Sequence, residues 1–134
     1  MHIYCKPIKG YNAFSDAFKV GIKLKTKCLF SSIVLNTSTD DEQHTILLGV
    51  TISKKIVKKA VIRNRVKRLL RTSFRLLLNE FDAIELKAIN NIILVWKFAP
   101  QHPKEITLDN VMPAVKNILE QAFNLYKKNG NNIQ

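Results

Sequence analysis

Glycine is scarce in this sequence. There are four in 134 residues, and none belongs to the clustered glycine loop that cradles the phosphates of a bound nucleotide. Cysteine is scarcer still: Cys5 and Cys28 form no CxxC pair. They are too few for a disulfide framework and read as two reduced thiols in a cytoplasmic protein. His2, His44 and His102 stand singly, in or beside expected loops, with no HxxxH pair among them. No nucleophile, base and orienting group can be assembled from this inventory, so no catalytic residue, metal ligand or protein-bound cofactor is expected. Nor is there an apolar run of the ~20 residues needed to span a bilayer, and no signal-peptide pattern opens the chain. Acid is the remaining shortage. Ten Asp and Glu face 22 Lys and Arg, for a net charge of +12 and a pI near 9.9, which points to a polyanionic partner. Three of those acids, Asp40, Asp41 and Glu42, stand together in a polar stretch (37–42) that reads as a solvated turn.

What is present is concentrated between Ser53 and Leu78. That stretch holds ten basic residues (Lys54, Lys55, Lys58, Lys59, Arg63, Arg65, Lys67, Arg68, Arg71 and Arg75) and no acid. Ile62, Val66, Leu69, Leu70, Phe74 and Leu77 recur at steps of three and four, the apolar face of an amphipathic helix. Asn64, Lys67, Arg68, Arg71 and Arg75 gather on a second stripe, with Arg63 and Arg65 at the margins. Lys67, Arg71 and Arg75 follow one another at i, i+4 with no acid between. Like charges at that spacing oppose helix formation, whereas a merely solvated face normally mixes signs. Clustered cations of this kind suit phosphate neutralisation with counterion release. A hydrophobic content of 46% places the charge on a folded body rather than a disordered tail.

The remaining pattern predicts one α+β domain over 1–134, in the order α-β-β-α-β-α with a mixed sheet. Residues 1–11, broken by Pro7 and Gly10, read as an extended or loosely ordered arm. A helix is expected over Ala13–Val20, capped by Asn12 and stopped by Gly21. Its Phe14 and Phe18 are either core residues or the wall of a groove where rings stack on unpaired bases. Strands are expected over Lys23–Asn36, with a bulge or late start, and over Thr45–Ser53, where Gly49 marks a bulge or close backbone approach. The basic helix follows directly, to about Asn79 or Glu80. Residues 81–87 are ambiguous, and Asn90-Asn91 punctuates. The continuous apolar run Ile92–Phe98 is the mark of a central strand covered on both faces, with Trp96 in or near the core. A last helix runs from Thr107 or Asp109 to Lys128, burying Val111, Val115, Ile118, Leu119, Ala122 and Leu125. Residues 129–134 read as a frayed tail.

The stretch from Ala60 to Arg71, AVIRNRVKRLLR, preceded by Gly49-Val-Thr-Ile-Ser-Lys54-Lys55, closely resembles the signature of the bacterial ribonuclease P protein subunit. The likeness covers roughly residues 10–128 and is specific over 49–75. It implies a fold shared with a domain of a small-subunit ribosomal protein, with the basic helix as a left-handed crossover between parallel strands. It also implies that Lys54, Lys55, Lys58, Lys59, Arg63, Arg65 and Arg68 bind the catalytic RNA. A cleft between helix and sheet, lined by Phe14, Phe18, Phe30, Thr51, Asn64, Lys67 and Arg71, would hold the single-stranded 5′ leader of precursor tRNA. The RNA, with bound magnesium, would hydrolyse the phosphodiester, and no obligate protein partner is implied. Ser31 and Ser32 stand where some relatives carry larger cleft side chains, and the opening arm has only Lys6 and Lys9. The competing reading is a non-enzymatic RNA-binding protein, such as a ribosomal protein of related fold. A DNA-binding helix-turn-helix fits poorly, because a strand stands where its first helix belongs.

Overall fold

The computed structural model describes residues 2–36, 43–99 and 103–132. The acidic stretch 37–42, Pro100 and His102 lie outside them. One five-stranded mixed sheet organises the chain. Its strands are β1 (His2–Pro7), β2 (Ile22–Lys25), β3 (Leu29–Leu35), β4 (Gln43–Ile52) and β5 (Ile89–Trp96), in the spatial order β1-β4-β5-β3-β2. β1, β4 and β5 are mutually parallel, and β3 runs antiparallel to both β5 and β2. The helices are α1 (Tyr11–Val20), α2 (Ala60–Leu77), α3 (Ala83–Leu86) and α4 (Leu108–Asn132).

Strand alternation gives the sheet two distinct faces. Leu29, Ile33, Ile46, Leu48, Ile52, Ile92, Leu94 and Trp96 point to one, where α2 and α4 cover them. α2 contributes Ile62, Val66, Leu70, Phe74 and Leu77 to this core, as its periodicity predicts, while Leu69 is half-buried. α4 contributes the expected stripe and Phe123, with Leu125 only half-buried. The opposite face carries Phe30, Ser32, Gly49, Thr51, Ile93 and Val95, and α1 packs across it against β3 and β5. Ile92, Ile93 and Leu94 are all buried, so β5 is covered on both sides.

Several boundaries differ from the sequence reading, each for a physical reason. The opening arm is not loosely ordered: residues 2–7 form an edge strand beside β4, with Ile3 and Cys5 half-buried and Tyr4 and Lys6 exposed. A proline is tolerated there because an edge strand leaves one row of N–H groups unpaired. α1 starts at Tyr11 behind Gly10, whose φ of 90° turns the chain, and Asn12 lies inside the helix. The expected strand over 23–36 is a hairpin, β2 and β3, closed by Thr26 N–H to Leu29 O at 2.7 Å. Seven residues, 53–59, separate the end of β4 at Ile52 from the start of α2 at Ala60, with a turn over 54–56, so α2 does not leave β4 directly. Residues 83–86 form the short α3, capped by Asp82 accepting from Ile84 N–H at 3.2 Å. The Asn pair does not precede the last strand but lies within it: Val34 pairs with Asn91 and Leu35 with Ile89, leaving Asn90 as a bulge. α4 runs from Leu108 to Asn132 rather than fraying after Lys128; Thr107, bonded to Asn110 Oδ1 through both N–H and hydroxyl at 2.9 Å, precedes it, and Asp109 lies in its first turn.

Candidate nucleic-acid interface

The cations at the start of α2 are displayed by a tight turn. Ser53 O accepts from Ile56 N–H at 3.1 Å and Val57 N–H at 3.0 Å, and Ser53 Oγ accepts from Lys55 N–H at 3.1 Å. Val57 is buried beneath, which fixes the segment and leaves Lys54, Lys55, Lys58 and Lys59 exposed. The first turn of α2 has no acid and no side-chain cap. Its free N–H groups and positive dipole end therefore add to the lysines as an attraction for anions.

The Arg-Asn-Arg sequence divides into different tasks. Arg63 Nη1 donates to Val57 O at 3.0 Å and Lys58 O at 2.7 Å, tying the helix back to the turn that precedes it. Arg65 Nε donates to Ile106 O at 3.1 Å, which joins α2 to the segment leading into α4. Both are half-buried; Asn64 and Arg68 are exposed. The sequence reading treats the three arginines as equivalent phosphate ligands, whereas two of them also brace the fold. Two ion pairs, Lys116–Glu80 at 3.6 Å and Lys127–Glu85 at 3.7 Å, involve no cation of the 53–75 stretch.

On the α1 face, the β register lines up Thr51, Val95, Phe30 and Lys25 across four strands, with Gly49, Ile93, Ser32 and Lys23 in the next row. Phe18 reaches down from α1 to Phe30, with ring centroids 5.9 Å apart at a tilt of 43°. Lys23 Nζ stands 4.5 Å from the Phe18 centroid and Lys97 Nζ 5.1 Å from that of Phe30, both within cation–π range. Lys23 Nζ also bonds Phe18 O, Gly21 O at 3.2 Å and Ser32 Oγ at 3.0 Å. Small residues permit this approach. A Cβ on Gly49 would come within 2.8 Å of the Phe14 ring, and one on Gly21 within 2.0 Å of Ser32 Oγ and 2.9 Å of Ile33 N. Phe14 thus packs over Gly49, while Phe18 and Phe30 form a half-buried pair flanked by cations. Lys23 carries no signal in the sequence; it becomes legible only once β2 is paired with β3.

The expected single cleft is divided between two surfaces. Phe14, Phe18, Phe30 and Thr51 share the α1 face, whereas Asn64, Lys67 and Arg71 ride on α2 across the sheet from them. The concavity between α2 and the sheet measures about 260 Å³ and is lined by Cys5, Pro7, Leu48, Arg71 and Arg75. Burial pushes the Cys5 thiol up, and the Arg75 guanidinium, which is hydrogen-bonded to it, works in the opposite direction. Among the described residues no group of three His, Cys, Asp or Glu could hold a metal ion, and no helix is long and apolar enough to cross a membrane.

Comparison with known proteins bears on the family and the fold. The family model described as Ribonuclease P matches residues 5–122. The ribonuclease P protein component of Clostridium kluyveri is 30% identical over 120 residues, covering 90% of this chain and 96% of that protein. The corresponding protein of Clostridioides difficile is 28% identical, over 87% of this chain and 91% of that one. Among solved structures, the Staphylococcus aureus RNase P protein superposes with a TM-score of 0.62 at 23% identity, over 87% of this chain and 94% of its own. The Thermotoga maritima RNase P protein gives 0.59 at 22%, over 81% and 89%. The structures carry the likeness of fold; the sequence matches carry the kinship.

Proposed function

The chain belongs to the ribonuclease P protein family, and from that premise we infer how its surfaces divide the work of an RNA-processing endoribonuclease. Lys54, Lys55, Lys58, Lys59, Arg63, Arg65 and Arg68 bind the ribonuclease P RNA. They surround the start of α2, where fixed cations and the helix dipole act together on phosphates. The single observation that carries the second assignment is the Phe18–Phe30 pair flanked by Lys23 and Lys97. A single strand needs ring faces for its unpaired bases and cations for its backbone, and this face offers both. We therefore assign Phe18, Phe30 and Thr51, with Phe14 behind them, to the 5′ leader of precursor tRNA. Beyond Thr51 the leader continues past the end of β4 onto Asn64, Lys67 and Arg71.

Guanidinium, ammonium and amide groups hold phosphates but supply no nucleophile and no oxygen cage for a hard cation. Hydrolysis is accordingly assigned to the RNA subunit, which would also hold the magnesium. The two free thiols suit a reducing compartment, and the cytoplasm is the assigned location. Photocrosslinking from a 4-thiouridine placed in the leader tests the strand's path. Adducts on peptides containing Phe18, Phe30 or Thr51 are expected; adducts confined to the Arg71–Arg75 side would put the leader on the other face.

A further inference from the structure

A pocket of about 240 Å³ lies where β5 ends, lined by Cys28, Trp96, Phe98, Glu105, Ile106 and Asn110. It opens on the face opposite the Phe18–Phe30 pair, because Trp96 alternates with Val95 along β5. Ile106 and Trp96 are buried and form an apolar wall, whereas Phe98 at the mouth is 58% exposed. Its neighbours fix its setting. Trp96 pairs with Ile52 at the end of β4, one residue before the turn that displays Lys54 and Lys55. Ile106 O receives the Arg65 guanidinium, and Lys97 N–H bonds Cys28 O at 2.9 Å. The pocket therefore sits under the cationic start of α2.

We propose that this pocket takes one unpaired base of the RNA partner whose phosphates the surrounding lysines and arginines hold; this rests on the RNA-binding reading above. Three features select a base. The volume falls below the ~300–1,000 Å³ of pockets for drug-sized ligands, which suits a single ring system. The exposed Phe98 ring supplies a stacking face, and stacking tolerates any base. A carboxylate offers about four acceptor sites, so Glu105 on the pocket wall can accept from the exocyclic amino group of adenine, cytosine or guanine beside the partner it already has, and its charge disfavours a phosphate there. The phosphates thus stay outside with the cations while the base enters. Within that apolar wall the buried indole N–H of Trp96 has no acceptor among the described residues, one unmet donor beside the pocket.

Trp96 is the only tryptophan in the chain, so its emission reports on this pocket. The test compares a single-stranded adenylate hexamer with an abasic hexamer of equal charge, on the wild type, Phe98→Leu and Phe98→Tyr. The adenylate hexamer should change Trp96 emission and the abasic one should not. Phe98→Leu should weaken adenylate binding about tenfold, with the salt slope unchanged because no phosphate contact is lost. Phe98→Tyr should retain it. Equal emission changes from both hexamers, or adenylate affinity untouched by Phe98→Leu, would overturn the proposal. If ribonuclease P RNA binds the wild type while Trp96 emission stays constant, only the pocket is wrong. If that RNA does not bind at all, the RNA-binding reading falls as well.

Discussion

The guanidinium of Arg65 donates from Nε to the carbonyl of Ile106 at 3.1 Å, across 41 residues of sequence. An arginine of the most basic stretch in the chain is thus a structural tie as well as a cation. Arg68, three residues on, is exposed. The pair separates two effects that are otherwise confounded in a basic helix.

Arg65→Ala should lower stability by about 1.5–3 kcal/mol, the range for a hydrogen bond to a charged group, and should weaken RNA binding as well. Arg68→Ala should leave the melting temperature within error while flattening the dependence of log K on log salt by about 0.7–0.9 per lost phosphate contact. Thermal melts and salt titrations on both variants check this. An Arg68 variant with an unchanged salt slope would mean that this side chain is only solvated.

Phe18→Leu keeps bulk and apolarity but removes the stacking ring. It should cost the holoenzyme about 1–3 kcal/mol of affinity for precursor tRNA and spare mature tRNA, which has no leader. Phe18→Tyr should be mild. Because Phe18 also packs on Phe30, melts must accompany the measurement; a large drop in melting temperature with unchanged discrimination would make the pair purely structural.

Gly21→Ala tests the close approach of α1 to β3. The added Cβ would sit 2.0 Å from Ser32 Oγ and 2.9 Å from the Ile33 backbone. The hydroxyl can rotate away, but the backbone cannot. Destabilisation of about 1–3 kcal/mol is expected from overpacking, read by denaturant unfolding. A neutral result would show that α1 sits further from the sheet.

Cys5 should titrate above its ordinary value of 9.0, because burial disfavours the thiolate more than Arg75 favours it. The folded state then holds this proton more tightly than the unfolded one. The resulting stability is fully present below the unfolded-state pKa and is lost as pH rises through the folded-state pKa. In a Cys28→Ser background, the pH midpoint for Cys5 alkylation should lie above that of a free cysteine, and Arg75→Ala should move it higher still. A midpoint lowered by Arg75→Ala would contradict the contact.

Much of this was readable from residues alone. The apolar stripe of α2, the continuous run of β5 and the buried face of α4 are local periodicities, and local periodicity survives in sequence. The edge strand β1 was not readable, because its partner β4 lies 41 residues away and parallel pairing leaves no turn signal between them. The same limit hid Lys23, whose place beside Phe18 depends on the β2–β3 register. It also let the site residues be read as one cleft. Gly49 and Leu48 are neighbours in sequence, yet they face α1 and α2 respectively, and that alternation separates Phe14 from Arg71.

This chain works as the protein subunit of a ribonuclease P. Reconstitution with a ribonuclease P RNA and a precursor tRNA at low magnesium tests it most directly. Cleavage at the mature 5′ end is expected only when RNA and protein are both present, with none from the protein alone. Equal cleavage by the RNA with and without the protein, or correct cleavage by RNA-free protein, would contradict it.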